Sequence, residues 1–254
     1  MSIAACAEIT QRGDPTRFRF AMAAPVAARR VLFPLYAFNI EVSRAPWVTE
    51  EAMIAEMRLQ WWRDALQEIA EGAKVRAHEV TTPLAEVLSP GDARALDALV
   101  AARRWDIYKD PFEDAGHFQE YLISTTGRLM AVAARVLAPE ASSEKAAEDA
   151  GYALGLANWF LAIPDLEARG RLPLVDGRPD AIKALASEAL SRLARARKAG
   201  TPRAAAPAFF PASSAQGILL SALKDPSKVG RGTLEPSPAS ARARALWCSL
   251  TGRW

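Results

Sequence analysis

Two carboxylates four residues apart, Asp64 and Glu68, fall on one face of any helix that carries them, a spacing that suits a hard cation. The same spacing is common on solvated helix faces, and that is the default reading here. His78 and His117 are isolated, and Cys6 and Cys248 are the two cysteines, so zinc or iron chemistry finds no ligand set. No segment has the spacing of a P-loop, a Rossmann turn or a nucleophile elbow. In GYALGLANWF (151–160), Gly151 and Gly155 fall inside a helical pattern with no strand before it. Glycines four apart there suit close helix packing. A more pointed question comes from LYAFNIEVSRAPW (35–47). Leu35, Phe38 and Val42 mark one buried helix face. Asn39 and Ser43 lie close to that face, where apolar residues would be the simpler choice. Tyr36 and Phe38 are core residues by default, with cavity lining as the alternative.

The elements that must position these residues read as helices almost throughout. Asp14-Pro15 is an N-cap with Pro at the first helical position. A helix is expected over 25–44, bent at Pro34. The next, over 50–72, has Thr49 as its cap, Glu50 and Glu51 in its first turn and Gly72 at its end. Its apolar stripe is predicted to be Met53, Met57, Trp61 and Leu66. Trp61 and Trp62 read as packing residues. Further helices fit 83–88, 92–108, 115–137, 143–163, 180–198, 207–223 and 239–250. The break RGRLPLVDGRPD (169–180) is rich in Gly and Pro. Alternating Val, Ile and Thr are nearly absent, so no sheet is expected.

At 254 residues, half of them hydrophobic and seven of them Trp, the chain has the material for a sizeable core. No apolar run reaches the roughly 18–20 residues that span a bilayer. The first residues lack the basic-then-apolar layout of a signal peptide. With two cysteines, a reducing cytoplasmic setting is expected. The net charge of +3 is uneven: residues 170–254 hold 14 Lys/Arg against 5 Asp/Glu. Solvated helix faces are the plain reading of that excess. A nucleic-acid partner is not expected, because no recognition motif accompanies the charge. An anionic membrane surface is the sharper alternative. Arg192, Arg195 and Lys198 cluster near the end of one helix, and Arg242 and Arg244 share the last one with Trp247, Leu250 and Trp254. Docking of Trp247 and Leu250 on the domain itself is the competing expectation.

Four segments in order, FPLYAFNIEVSR (33–44), RLQWWRDALQEI (58–69), EYLISTTGRLM (120–130) and GLANWFLAIPDLEARGRLPL (155–174), resemble the squalene/phytoene synthase family. The resemblance implies an all-α, isoprenoid-synthase-like helical barrel around an apolar cavity. It implies a single domain over 1–254, with a core of about 14–225 and an extension over 226–254. Active members of the family carry two aspartate-rich segments on facing helices, which hold Mg²⁺ and through it a prenyl diphosphate. Their first acidic positions correspond here to Ser43, Arg44 and Trp47. Those of the second segment correspond to Ala162 and Leu166, four and eight residues after Asn158. Gly170-Arg171 stands where the family has Gly-Arg. Asp165 and Glu41 are nearby acids that do not rebuild a cluster.

AFNIEV, RLQWW and AIPD followed by GRLPL also resemble a branch of the family without the acidic motifs, typified by a mitochondrial assembly factor for respiratory complex I. Three readings follow. The first is a non-catalytic assembly factor, working with complex I subunits as a cytoplasmic protein peripheral to the inner membrane. The second is a prenyl-transferring synthase that would need Mg²⁺. The third is an isoprenoid- or lipid-binding protein that uses the cavity without chemistry. No catalytic residue, no metal ligand and no cofactor are expected under the first. The residues expected around the remaining cavity are Tyr36, Phe38, Asn39, Ser43, Asn158, Ala162 and Arg171. Arg171 either meets an anion, as the resemblance implies, or pairs with Asp165 or Glu167.

Overall fold

Local capping chemistry decides where several helices begin. Asp14 accepts the Arg17 N–H at 2.8 Å and starts a helix with Pro15 at its first position. Ser89 and Asp92 form a reciprocal capping box. Ser237 accepts the Ser240 N–H at the start of the last helix. The computed structural model describes residues 2–141 and 143–254, and among the described residues there is no strand. In chain order the helices are α1 (Ile3–Gly13), α2 (Pro15–Ala23), α3 (Val26–Arg44), α4 (Ala52–Glu71), α5 (Thr81–Ala85), α6 (Pro90–Ala102), α7 (Ala115–Leu122), α8 (Arg128–Leu137), α9 (Glu144–Ala168), α10 (Pro179–Ala199), α11 (Ala206–Phe209), α12 (Ala215–Lys224), α13 (Ser227–Gly230) and α14 (Pro238–Thr251).

The centre of the fold is α9, which buries side chains on most of its circumference, from Ala146 to Leu166. A helix that is apolar all round must be enclosed. It packs against α8, α10, α12 and the π-turn at Ile123–Gly127. On the other side of the core, α3 buries Leu32 through Ile40 without a gap and runs through Pro34 as one helix. It lies against α1, α2 and α8. Glycine chemistry permits the tightest crossing: a methyl group on Gly151 would fall 2.4 Å from the Gly127 Cα.

Several local expectations are corrected. Helix α1 lies outside the helices predicted from the sequence. Thr49 does not cap α4: its hydroxyl accepts the Glu51 N–H at 3.1 Å, and Glu50 and Glu51 precede the first turn. Met53 and Met57 are 75% and 66% exposed. The buried stripe of α4 is Ala55, Leu59, Trp62, Leu66 and Ile69. Both registers satisfy a helical period, and the one that wins is the one facing α6 and α3. The helix expected over 92–108 closes early into a 3-10 turn, Arg103–Asp106. The one expected over 115–137 contains the π-turn, where the Thr125 hydroxyl donates back to the Tyr121 carbonyl at 2.7 Å. The one expected over 207–223 is split by a 3-10 turn at Phe210–Ser214.

Candidate functional site

A cavity of about 420 Å³ opens between α3 and α9, closed by the α1–α2 junction, the turn at Ala45–Trp47, the Arg103–Asp106 turn and the π-turn. Each main helix gives it one stripe. From α3 come Asn39, Ile40, Ser43 and Arg44; from α9 come Gly155, Asn158, Trp159, Ala162, Asp165 and Leu166. The structure therefore brings Asn39, Ser43, Asn158 and Ala162 together in the cavity lining, two from each facing helix. Tyr36, Phe38 and Arg171 stand behind it. Tyr36 is buried, with the Arg17 guanidinium 5.7 Å from its ring centre, and burial drives its phenol far above the ordinary tyrosine range. Phe38 meets the edge of Trp62, which in turn packs on Trp61 and His78.

Arg171 neither faces the cavity nor pairs with Asp165 or Glu167. Its guanidinium donates to the Tyr108 carbonyl at 2.8 Å and to the Asp106 carbonyl. It lies 4.7 Å from the centre of the Trp47 ring. Burial pulls its pKa down, since nearby Asp106 does not fully compensate for lost water. Arg171 thus ties the end of α9 to the 3-10 turn that carries Asp106.

The wall is mixed. Ile40, Leu122, Trp159 and Leu166 provide apolar surface, beside a larger set of polar groups. Two of its carboxylates are already engaged. Asp14 holds Arg17 at 2.6 Å. Asp106 accepts from the Tyr121 hydroxyl at 2.7 Å and from Arg103 at 3.1 Å, while Arg103 also donates to the Tyr121 oxygen at 2.8 Å. Burial opposes the Arg103 charge, but Tyr121 and Asp106 outweigh it and hold the guanidinium protonated. The same burial puts the Tyr121 phenol well above its usual range. Arg44 reaches Glu41 only at 4.0 Å, and the Arg169 guanidinium lies 5.0 Å from the Trp47 ring centre. Asn39 is 6% exposed and its amide has no hydrogen-bond partner among the described residues. Asn158 is exposed on the facing helix, also without a partner among them.

This donor set does not fit Mg²⁺. A hard cation needs several oxygen ligands at one point, and among the described residues no three metal-ligating side chains converge. The positions that the resemblance sets against the family's acidic ones hold Ser43, Arg44, Trp47, Ala162 and Leu166. Asp165 is on the wall but exposed and alone. Asp64 and Glu68 are not a cation site either: Arg76 binds Glu68 at 2.7 Å and stands 3.7 Å from Asp64. Arg17, Arg103, Asp106 and Tyr121 were not singled out from the sequence. The i, i+3 spacing of Arg103 and Asp106 was its one visible sign, and spacing carries no information about depth.

Comparison with known proteins agrees with this geometry. The model of the squalene/phytoene synthase family matches residues 10–175. The curated relative "NADH dehydrogenase (ubiquinone) complex I, assembly factor 6 homolog" of Drosophila melanogaster is 28% identical over 177 residues. That match covers 67% of this chain, and the chain spans about half (53%) of the relative's length. A crystal structure of a dehydrosqualene synthase in complex with ligand superposes with a TM-score of 0.79 at 15% identity, covering 98% of this chain and 95% of that one. Squalene synthase HpnC from Alicyclobacillus acidocaldarius superposes with a TM-score of 0.71, also at 15% identity, covering 87% and 93%. At that identity the two structures establish a shared isoprenoid-synthase fold. With the family model matched over 10–175, a span that takes in every cavity-lining residue, the chain belongs to the squalene/phytoene synthase family.

Proposed function

We propose that this chain is a non-catalytic member of its family that acts in the assembly of respiratory complex I. The observation that carries the first half is the engagement of the cavity's acids: Asp14 and Asp106 are each held by a guanidinium. Departure of a diphosphate from an allylic carbon develops negative charge that a cation bound by carboxylates normally neutralises in such chemistry. Here Asp14 and Asp106 are already paired and Asp165 stands alone, so no two free carboxylates meet at one point of the cavity. The second half is supported by the role named for the fly relative, and it carries to this chain as a proposal. In this reading complex I subunits are the partners, and the protein works on the cytoplasmic side of the inner membrane as a peripheral component. Among the described residues no helix is long and apolar enough to cross a bilayer.

Two measurements test it together. Purified protein with farnesyl or geranylgeranyl diphosphate and Mg²⁺ is expected to release no pyrophosphate above background. Deletion of the gene is expected to lower the amount of assembled complex I on native gels, with cellular isoprenoids unchanged and the defect reversed by the wild-type chain. EDTA-sensitive turnover would instead establish a prenyl-transferring enzyme, and normal complex I after deletion would remove the assembly role.

A second reading is favoured by Asn39, a buried amide without a partner at the wall of an open cavity. Its amide atoms are not among the side-chain atoms sealed from solvent without a partner, so they face the open cavity, free to form hydrogen bonds with water or a polar ligand. An isoprenoid or lipid with a polar head, held without chemistry, would be such a ligand between Asn39 and Asn158. Organic extraction of the native protein followed by mass spectrometry is expected to show a stoichiometric lipid that Asn39→Leu loses. A wild-type extract free of lipid would leave the amide to water.

A further inference from the structure

The outer face of α14 carries three large apolar side chains that nothing in the molecule covers. Leu246, Trp247 and Leu250 are 59%, 57% and 76% exposed. The helix is nevertheless anchored. Ala245 and Cys248 are buried on its inner side, and Arg244 donates to the Ser213 carbonyl at 2.6 Å. Just past its end, the Trp254 indole stacks on Phe209 and donates to the Thr201 hydroxyl at 3.1 Å. The face is therefore held rigidly outward, and it is not the packing side of the helix. Docking of Trp247 and Leu250 on the domain is thereby overturned.

Charge on the same face has one sign. At 100° per residue, Arg242 falls on the side of the helix that carries Leu246 and Leu250, and Arg253 follows just past the Gly252 cap. Both guanidiniums are exposed and make no ion pair among the described residues. No Asp or Glu occurs over residues 236–254. Trp254 brings the end of the helix beside the segment that carries the exposed Lys198 and Arg203. Other cations expected at this surface are engaged elsewhere. Arg192 pairs with Glu188 at 2.6 Å and Arg195 with Asp149 at 2.7 Å, where they brace α10.

We infer that the outer face of α14 is a docking face for a bilayer containing anionic lipids. Leu246 and Leu250 enter the acyl boundary, Trp247 lies at headgroup depth with its free indole N–H, and Arg242 and Arg253 meet lipid phosphates. Charge complementarity selects this occupant: an unpaired cationic flank and no acid suit an anionic surface. Three side chains also fall short of the roughly 800 Å² per partner that a stable protein interface buries. The inference deepens the peripheral location proposed above but does not rest on the assembly role, since none of these residues lines the cavity.

Co-sedimentation of the full chain with vesicles tests it. The wild type is expected to bind vesicles of phosphatidylcholine with phosphatidylglycerol at least tenfold better than phosphatidylcholine alone at low salt, and to lose that preference at high salt. Leu246→Gln with Leu250→Gln, both exposed and tolerated by the fold, is expected to lower the partition at least tenfold. Arg242→Gln and Arg253→Gln are each expected to lower it about fivefold at low salt. Met53→Gln with Met57→Gln, on the separate exposed patch of α4, is expected to change nothing. A wild type that ignores phosphatidylglycerol, or a Leu246/Leu250 double variant that binds as the wild type does, overturns the inference. So does a wild-type dimer in light scattering that the same double variant converts to monomer, because that result assigns the face to a second copy of the chain.

Discussion

Asp106 shows how one residue's surroundings fix its role. It is 3% exposed, accepts from Tyr121 and Arg103, and anchors Arg171 through its carbonyl. Its carboxylate is the counter-ion of a buried guanidinium. Removing one partner of such a pair leaves the other charge buried alone, which costs about 3–5 kcal/mol. Asp106→Ala is therefore expected to lose that much stability. Tyr121→Phe, which removes hydrogen bonds but no charge, is expected to lose about 1–3 kcal/mol. Urea midpoints at constant slope would read both. Equal losses would show that water reaches Arg103 and replaces its carboxylate. The cavity residues follow the same logic in reverse: Ser43 and Ala162 are half-buried on an open wall, where small groups leave room and the nearby Arg44 and Arg169 leave positive charge.

At the scale of elements, α9 and the π-turn meet through glycine backbone, and the two glycines at that contact are not equivalent. A Cβ on Gly151 meets the Gly127 Cα at 2.4 Å and the Gly127 nitrogen at 2.9 Å, both backbone atoms that cannot swing aside. A Cβ on Gly127 finds its nearest neighbour at 3.7 Å, an ordinary contact. Gly151→Ala is expected to force the elements apart and cost about 1–3 kcal/mol, as overpacking does. Gly127→Ala is expected to be neutral or to gain up to about 1 kcal/mol, because alanine restricts the unfolded chain. Thermal melts of the two variants decide it, and a harmless Gly151→Ala would mean the crossing is looser than its geometry. The Gly151/Gly155 spacing was legible as a packing signal. Its partner, a π-turn over 120–130, was not, because that stretch has the periodicity of a plain helix.

For the whole molecule, buried acidic protons tie stability to alkaline pH. Burial, aided by Glu79, pushes the Cys6 thiol from its ordinary 9.0 up to about 11. Burial, with Glu188 nearby, pushes the Tyr152 phenol from 10.0 up to about 12. In each case the unfolded chain gives up its proton first, so between the two values the native state binds more protons than the unfolded one. Stability is then fully present below about pH 9 and falls as pH rises through about 11. The melting temperature is expected to be flat on the acidic side of that window and to decline across it. Cys6→Ala is expected to shallow the start of the decline, and an unchanged slope would mean that the thiol titrates alike in both states.

The sequence by itself determined the class of this protein. Helical periodicity, the cap at Asp14, the end of α4 at Gly72 and four family-like segments in order are local signals, and local physical chemistry is written residue by residue. It also carried the resemblance that sets Ser43, Arg44, Trp47, Ala162 and Leu166 against the family's acidic places. What only the tertiary structure decided was facing and pairing. Met53 and Met57 have the spacing of a core stripe and lie in solvent, because α6 and α3 cover the other register. Tyr36 and Phe38 share a helix with Asn39 and Ser43 but turn into the core. Arg171 finds carbonyls from a turn more than sixty residues away (|i−j| of 63 and 65), and no spacing rule reaches across that distance. Burial and long-range pairing depend on which other elements arrive, so they enter only when the helices pack.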